Sequence, residues 1–385
     1  MTEAVDILIA GGGPVGAALA LALQDTGHSV VLTEARDAGP AGAGGTKPAD
    51  ARAIALSYAS RLILEHLQVW SGLAATPIET IHISQQGGFG RTLIRAAECG
   101  VPALGYVVTY DNLQQAVLAV SCAGRRIFGA KLTSFDGTTA VVHTQDGELA
   151  FTPRLTVFAD GARIAGDGAS PAYSKDYRQS AVIALVKSPH DHQGRAWERF
   201  TPDGPLALLP CGTRYGLVWT TSPDRAMQLC ALDTPSFLVE LHAAFGDRLG
   251  GFTEAGERAS FPLALRYRKD ESKPHSLSVG NAAQTLHPVA GQGFNLGLRD
   301  AWELARLARD ARDPGDDGFI RGYRRARSLD RGAGIRFTDS LVGLFSNSDP
   351  LLKLGRGAGL LALDLLPFAR RFLARRMIYG ARALP

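Results

Sequence analysis

Two glycine-bearing stretches hold the residues whose types and spacing fit chemistry. Gly11-Gly12-Gly13-Pro14-Val15-Gly16 matches G-x-G-x-x-G. In such a turn Gly11 permits the tight bend, Gly13 clears room for a pyrophosphate, and Gly16 lets a helix pack closely on a sheet. The helix N-terminus that follows presents amides and a positive dipole end to phosphate. Glu34 lies about 20 residues on, the spacing at which a carboxylate accepts from ribose hydroxyls. The second stretch runs from Gly280-Asn281 through His287-Pro288-Val289-Ala290-Gly291-Gln292-Gly293-Phe294-Asn295 to Gly297 and Asp300. Its last three glycines precede a helical pattern that begins at Asp300, so backbone amides there can approach a ligand closely. The two stretches are expected to meet in space. The motif says dinucleotide and leaves FAD and NAD open.

Three other positions hold reactive types. Arg52 stands near the start of a helical stretch expected over residues 50–67. A guanidinium there either pairs with phosphate or faces water. Asp160-Gly161 ends an apolar run and by itself reads as a turn. His287 sits where an imidazole serves either as a base or as a structural part of the turn.

The elements that must position these groups follow from the apolar pattern. Residues 5–10 and 30–33 read as buried strands, with a small-residue helix over 17–23 between them. Residues 40–49 read as a loop, 78–84 and 104–108 as strands, and 113–120 as a helix. Residues 125–159 form a meander with Asp136-Gly137 and Asp146-Gly147 turns. From about 180 to 265 short strands with tight turns predict a separate antiparallel sheet. It carries Trp197, Phe200 and Trp219, and such a sheet can wall an apolar cavity. Residues 277–279 return to the first unit. Helices are expected over 299–312 and 319–344. Beyond 351, Lys353, Arg356, Arg370, Arg371, Arg375, Arg376 and Arg382 interleave with leucines and phenylalanines, a basic amphipathic pattern suited to an anionic surface or a partner helix.

Composition excludes several classes. The 385 residues are 45% hydrophobic and 20% charged, with net charge +4. That is too mild to argue for nucleic-acid binding. Cys99, Cys122, Cys211 and Cys230 form no C-x-x-C pair, so neither a metal site nor a disulfide framework is expected, and a reducing, cytoplasmic setting follows. No apolar run reaches the roughly 18–20 residues that span a bilayer.

Taken together, Gly11-x-Gly13-x-x-Gly16, Asp160-Gly161 and the Gly280 stretch resemble the single-component FAD-dependent aromatic hydroxylases. Within them, His287-Pro288-x-Ala290-Gly291-Gln292-Gly293-x-Asn295-x-Gly297-x-x-Asp300 is similar to the signature of the ubiquinone-biosynthesis hydroxylases. The runs Gly280–His287, Ala196-Trp197-Glu198-Arg199-Phe200-Thr201-Pro202 and Leu104-Gly105-Tyr106-Val107-Val108 look like the 2-polyprenyl-6-methoxyphenol hydroxylase branch. Three positions depart from the broader pattern: Asn281 for Asp, Ile164 for Ser, and Tyr110 near the place of an Arg.

The resemblance implies an α/β fold, a Rossmann-like FAD-binding domain with an inserted antiparallel-sheet substrate domain and a helical C-terminus. The expected division is 1–75, 98–175 and 268–345 for flavin, 76–97 and 176–267 for substrate, and 346–385 for the basic terminal segment. FAD would lie non-covalently, its pyrophosphate on Gly11, Gly13, Pro14, Val15 and Gly16. Glu34, with Ala35 and Arg36 beside it, would hold the adenosine side, and Arg52 would face the pyrophosphate. Asp160 and Asn281 would reach the pyrophosphate and ribityl chain. Pro288, Gly291 and Gly293 would shape the turn whose Phe294 and Asn295 amides face flavin N1 and O2. NADPH or NADH would reduce FAD transiently, O2 would bind as a C4a-hydroperoxide, and a polyprenyl-phenol would be hydroxylated. A peripheral seat on the inner face of the cytoplasmic membrane, and a place in a ubiquinone-biosynthesis complex, follow as partner expectations. A soluble aromatic substrate, and a flavoprotein subunit without turnover, are the alternatives.

Overall fold

The structure is a computed structural model that describes residues 2–37, 50, 52–161, 173–268, 273–345 and 349–380. The loop expected over 40–49, Ile164 and Arg382 lie outside the described residues.

The chain opens with β1 (Thr2–Ala10), α1 (Pro14–Ala22) and β2 (Val30–Glu34). The two strands pair in parallel, and α1 buries Gly16, Ala17, Ala18, Leu19, Ala20 and Leu21. Small side chains let the helix lie close to the sheet. Then come β3 (Ala53–Ser57), α2 (Tyr58–His66), β4 (Thr76–Ile78), β5 (Thr80–Gln85), β6 (Arg91–Arg95), α3 (Ala96–Cys99), β7 (Gly105–Thr109) and α4 (Tyr110–Ala119). The helix expected over 50–67 is therefore half strand. Residues 53–57 pair antiparallel with β7 across their whole length, and the Ser57 side chain accepts from the Ser60 amide to cap α2. Tertiary pairing overrides the helix preference of alanine here.

The strands β8 (Arg125–Phe128), β9 (Lys131–Phe135), β10 (Ala140–Thr144) and β11 (Gly147–Phe158) complete the first sheet. Its order is β8-β2-β1-β11-β10-β9. Next follow β12 (Tyr173–Lys187), β13 (Arg195–Thr201), β14 (Gly204–Cys211), β15 (Arg214–Thr221), α5 (Pro223–Ala231), α6 (Thr234–Phe245), β16 (Glu254–Ala255) and β17 (Ala259–Tyr267). The chain returns to β11 by β18 (Ser276–Ser278) and then adds β19 (Gln284–Thr285). The second sheet is ordered β19-β17-β12-β15-β14-β13-β5-β6, with β16 beside β12. A third, small antiparallel sheet, β3-β7-β4, packs on the second sheet through Ile78, Val107 and Ala196.

Four helices finish the chain: α7 (Gln292–Ala308), α8 (Asp317–Phe345), α9 (Pro350–Leu365) and α10 (Pro367–Tyr379). Helix α7 starts eight residues before the expected Asp300, because Gly291 takes a left-handed turn (φ +59°) that only glycine adopts freely. The core of the first unit joins Ile7, Ile9, Leu32, Leu155 and Val157 to Leu304 and Tyr323. The core of the second sheet joins Trp197 and Trp219 to Phe237 and Phe245. The two tryptophans thus pack outward against α6, and only Phe200 of the three expected wall aromatics faces inward.

Candidate active site

The glycines sort into two sets. Gly11 (φ +114°) lies against the end of β11, where a Cβ would stand 2.5 Å from the Asp160 amide nitrogen. A Cβ on Gly16 would stand 1.9 Å from the Gly11 carbonyl oxygen. Gly280 (φ +60°) meets Val15 at 3.2 Å, and Gly297 meets the Gly280 Cα at 2.8 Å. These glycines bring Gly11–Gly16, Asp160 and the Gly280 stretch into contact, so the two stretches meet as expected. The second set faces open space. Among the described residues, a Cβ on Gly161 or Gly293 would meet nothing within 4 Å, and one on Gly13 only the Tyr110 hydroxyl at 3.9 Å. Three glycines from three loops thus border one cradle that side chains would fill.

Acid and base groups line the cradle near Gly12 and Gly13. One Glu34 carboxylate oxygen accepts from the Gly12 amide at 2.7 Å and the other from the Arg36 amide at 3.0 Å. Ala35 bridges them in sequence. The Arg52 guanidinium pairs with Asp50 at 2.5 Å and lies over the Tyr110 and Phe261 rings at 4.8 and 5.3 Å. Burial opposes its charge, but the Asp50 hydrogen bond and charge outweigh burial and hold the guanidinium's pKa above normal. Tyr110 occupies the first turn of α4. Burial raises its hydroxyl pKa against the pull of Arg36, which also hydrogen-bonds it, and of Arg52. Two cations therefore flank the phenol beside Gly13. Gln114, four residues on, was not legible in the sequence. Its Nε2 donates to the Gly12 carbonyl at 2.8 Å, and its buried Oε1 has no partner among the described residues. Only helical periodicity from Tyr110 would have pointed to it.

The Asn295 side chain fastens the start of α7. Its Oδ1 accepts from the Ser57 amide and the Ser60 hydroxyl, both at 2.7 Å, and its Nδ2 donates to the carbonyls of Ala55 and Gly291. All four hydrogen-bonding capacities of the amide are used. With α7 beginning at Gln292, the Asn295 amide stands where the helix supplies an acceptor at Gly291. The Gly293 and Phe294 amides stand where it supplies none.

Asp300 is fully buried and tightens the same region. Its Oδ2 accepts from the Gly280 amide at 3.2 Å and Gln284 at 2.7 Å, while its Oδ1 pairs with Arg327 at 2.7 Å. Asn281, next to Gly280, is exposed in a short turn. Asp160 sits at the bend after β11, and Pro288 precedes the turn Val289–Gly291. His287 is buried. Its Nδ1 accepts from the Val289 amide at 3.1 Å, which leaves the proton on Nε2. Burial pushes its pKa down to about 4, and the ring meets Tyr177 edge-on at 5.4 Å. A neutral imidazole holding the turn is a poor proton acceptor at pH 7.

Opposite this turn lies the inner face of the second sheet. On β13 the inward residues are Ala196, Glu198 and Phe200. Ala196 packs with Ile78 and Val107, and Phe200 packs with Val289 and stacks on Phe345 at 3.6 Å. A cleft lined by Gln85, Phe200, Phe345, Lys353 and Arg356 continues from there towards the C-terminal helices.

A cradle of open glycines, a carboxylate at the end of β2, two arginines beside Tyr110 and a helix N-terminus fit FAD, and the fold and site together define an FAD-dependent monooxygenase. The FAD-binding-domain family matches residues 4–332. The chain is 35% identical to the ubiquinone hydroxylase UbiL of Rhodospirillum rubrum, over 97% of this chain and 90% of the relative. It is 32% identical to the 3-demethoxyubiquinol 3-hydroxylase of Escherichia coli, over 94% and 95% respectively. In fold it is similar to p-nitrophenol 4-monooxygenase PnpA of Pseudomonas putida, with a TM-score of 0.78 at 16% identity, covering 98% of this chain and 99% of that one. The chain belongs to the FAD-dependent hydroxylases of the ubiquinone-biosynthesis family.

Proposed function

We propose that the protein hydroxylates the aromatic ring of a polyprenyl-phenol intermediate of ubiquinone biosynthesis, using O2 and NADPH or NADH. The observation that carries the substrate class is the apolar inner face of the second sheet, which leads by way of the Phe200–Phe345 cleft to exposed apolar helices. Bound FAD supplies the redox chemistry and the activation of oxygen. The division into a flavin unit (1–75, 98–175, 268–345) and a substrate unit (76–97, 176–267) is part of this reading.

The chain's residues bind, orient and exclude water. Gly11, Gly13, Pro14, Val15 and Gly16 receive the pyrophosphate, with Arg52 and Tyr110 beside it. Glu34, Ala35 and Arg36 receive the adenosine ribose. Asp160 and Asn281 reach the middle of the cofactor. Pro288, Gly291 and Gly293 shape the turn whose Gly293 and Phe294 amides would receive the flavin ring. Amides of that first turn would favour negative charge placed beside them.

The tail of such a substrate belongs in lipid, and the C-terminal helices suit a membrane surface. Leu351, Leu354, Leu361, Leu365, Phe368 and Phe372 are exposed on α9 and α10. Arg371, Arg375 and Arg376 are exposed among them. Arg356 and Arg370 are instead buried, donating to Leu344 and pairing with Glu98, so the basic face is smaller than the sequence pattern implies. No helix among the described residues is long and apolar enough to cross a membrane. The fitting mode is therefore peripheral contact.

The test is genetic and chemical together. Deleting the gene in its host should accumulate an under-hydroxylated polyprenyl-phenol, seen by mass spectrometry. An unchanged quinone pool, in a host shown to have no second hydroxylase, would overturn the reading.

A further inference from the structure

We infer that Glu198 is the hydrogen-bonding anchor for the ring oxygen of the substrate, the polar subsite in an otherwise apolar wall. The inference rests on the polyprenyl-phenol reading above.

Register fixes its surroundings. Glu198 pairs with Ile83 on β5 and Ala207 on β14. Ala207 pairs with Val218 on β15, and Val218 with Ile183 on β12. Side chains directly across strands share one face. The row Ile83, Glu198, Ala207, Val218, Ile183 therefore crosses the middle of the inner face with a single ionisable group. All five residues keep partial accessible surface although they lie in the centre of a large sheet. Residues placed so deep with residual surface line an internal space. Glu198's neighbours along β13 locate that space. Ala196 packs against β4 and β7, and Phe200 packs against Val289, the turn before α7. Glu198 stands between them, facing the region where the α7 N-terminus and the Gly291–Ala55 contact lie.

The carboxyl is unusual in its chemistry. Its Oε1 is buried with no hydrogen-bond partner among the described residues. Burial alone pushes its pKa up to about 7. The titratable groups on the surrounding elements do not offset this. His287 is held neutral, Tyr177 donates to Asp339 at 3.0 Å, and Arg52 is paired with Asp50. A buried polar group without a partner calls for a reason, and a ligand is one. A carboxylic acid carries one donor and spare acceptor capacity. Both complement a phenol or quinol hydroxyl. The outer face offers no such partner: Trp197 and Arg199 turn towards α6.

The test uses FAD-loaded protein and 2-farnesylphenol as the probe. Binding is read from the perturbation of flavin absorbance, and coupling from product formed per NAD(P)H oxidised. Glu198→Leu should weaken binding about tenfold or more, the scale of one lost buried hydrogen bond, and divert reducing equivalents to hydrogen peroxide. Glu198→Gln keeps a donor and an acceptor and should bind within about threefold of the parent. Parent affinity should fall as pH rises through about 7, while that of Glu198→Gln stays flat. The inference is overturned if Glu198→Leu binds and couples like the parent. It is also overturned if Glu198→Gln fails as badly as Glu198→Leu while retaining FAD, since the group would then act as a base. If the parent itself neither binds nor hydroxylates the probe, the substrate reading fails and takes the anchor with it.

Discussion

Two buried carboxyls, Asp300 and Glu198, stand on opposite sides of the site and behave in opposite ways. Asp300 is satisfied by an amide, a side-chain amide and a guanidinium. Glu198 keeps an oxygen without a protein partner among the described residues. The first fastens the cofactor side into one rigid piece, joining the Gly280 turn to α7 and α8. The second sets an unsatisfied polar group in an apolar wall. The contrast teaches that in this protein the residues of the sequence motif mostly build the cradle. The groups that distinguish a substrate sit on a strand outside it.

The sharpest way to break the comparison is at the glycines. Gly16→Ala would put a Cβ 1.9 Å from the Gly11 carbonyl. It should cost on the order of 100-fold in FAD affinity by fluorescence titration. Gly293→Ala meets nothing within 4 Å. It should leave the melting temperature of the apoprotein unchanged and still weaken FAD retention. Equal loss of stability in both variants would erase the division into packing and ligand-facing glycines.

A stability effect separates the carboxyls themselves. Asp300→Ala takes the acceptor from the Gly280 amide and the Gln284 side chain and leaves Arg327 paired with Asp330 alone, and should destabilise by about 2 kcal/mol in denaturant titration. Glu198→Gln should do the reverse, and only above acid pH. The folded-state pKa of Glu198 is raised from 4.5 to about 7. Between those values the folded protein holds a proton that the unfolded chain has released, so stability declines as pH rises through the window. Removing the group should therefore stabilise by about 3 kcal/mol at pH 8 and by nothing near pH 4, seen in paired melts. A gain at both pH values would show that burial does not hold the proton.

The smallest effect concerns the outer helices. Phe368→Ser with Phe372→Ser removes exposed apolar surface and should leave stability within about 0.5 kcal/mol. Sedimentation with anionic vesicles should fall several-fold, while turnover of a soluble phenol stays unchanged. Unaltered sedimentation would remove the membrane role from α9 and α10.

The strand–turn–helix–strand start was legible because its apolar runs, glycine spacing and terminal Glu34 all agree on one unit. The alternation after residue 180 pointed to a second, antiparallel layer, and the fold class followed from the family resemblance that the glycine-bearing stretches carry. What was not legible depended on partners distant in sequence. Residues 53–57 look helical until β7 pairs with them. The start of α7 is hidden because glycine-rich sequence does not look helical, and Asn295 holds it from the side. Trp197 and Trp219 look like cavity walls, but strand parity turns them to α6. Glu198 is one acid on an alternating strand, where charge normally faces water. Only the presence of a second layer over that face reveals it as buried.

The central claim, that FAD on this cradle hydroxylates a polyprenyl-phenol, is tested most directly with isotopic oxygen. Purified, FAD-loaded protein would be given 2-farnesylphenol, NADPH or NADH, and 18O2, and the product read by mass spectrometry. A catechol or quinol carrying one 18O atom should form in proportion to reductant consumed. A protein that cannot be loaded with FAD, or a loaded protein that yields only hydrogen peroxide and unlabelled phenol, would contradict it.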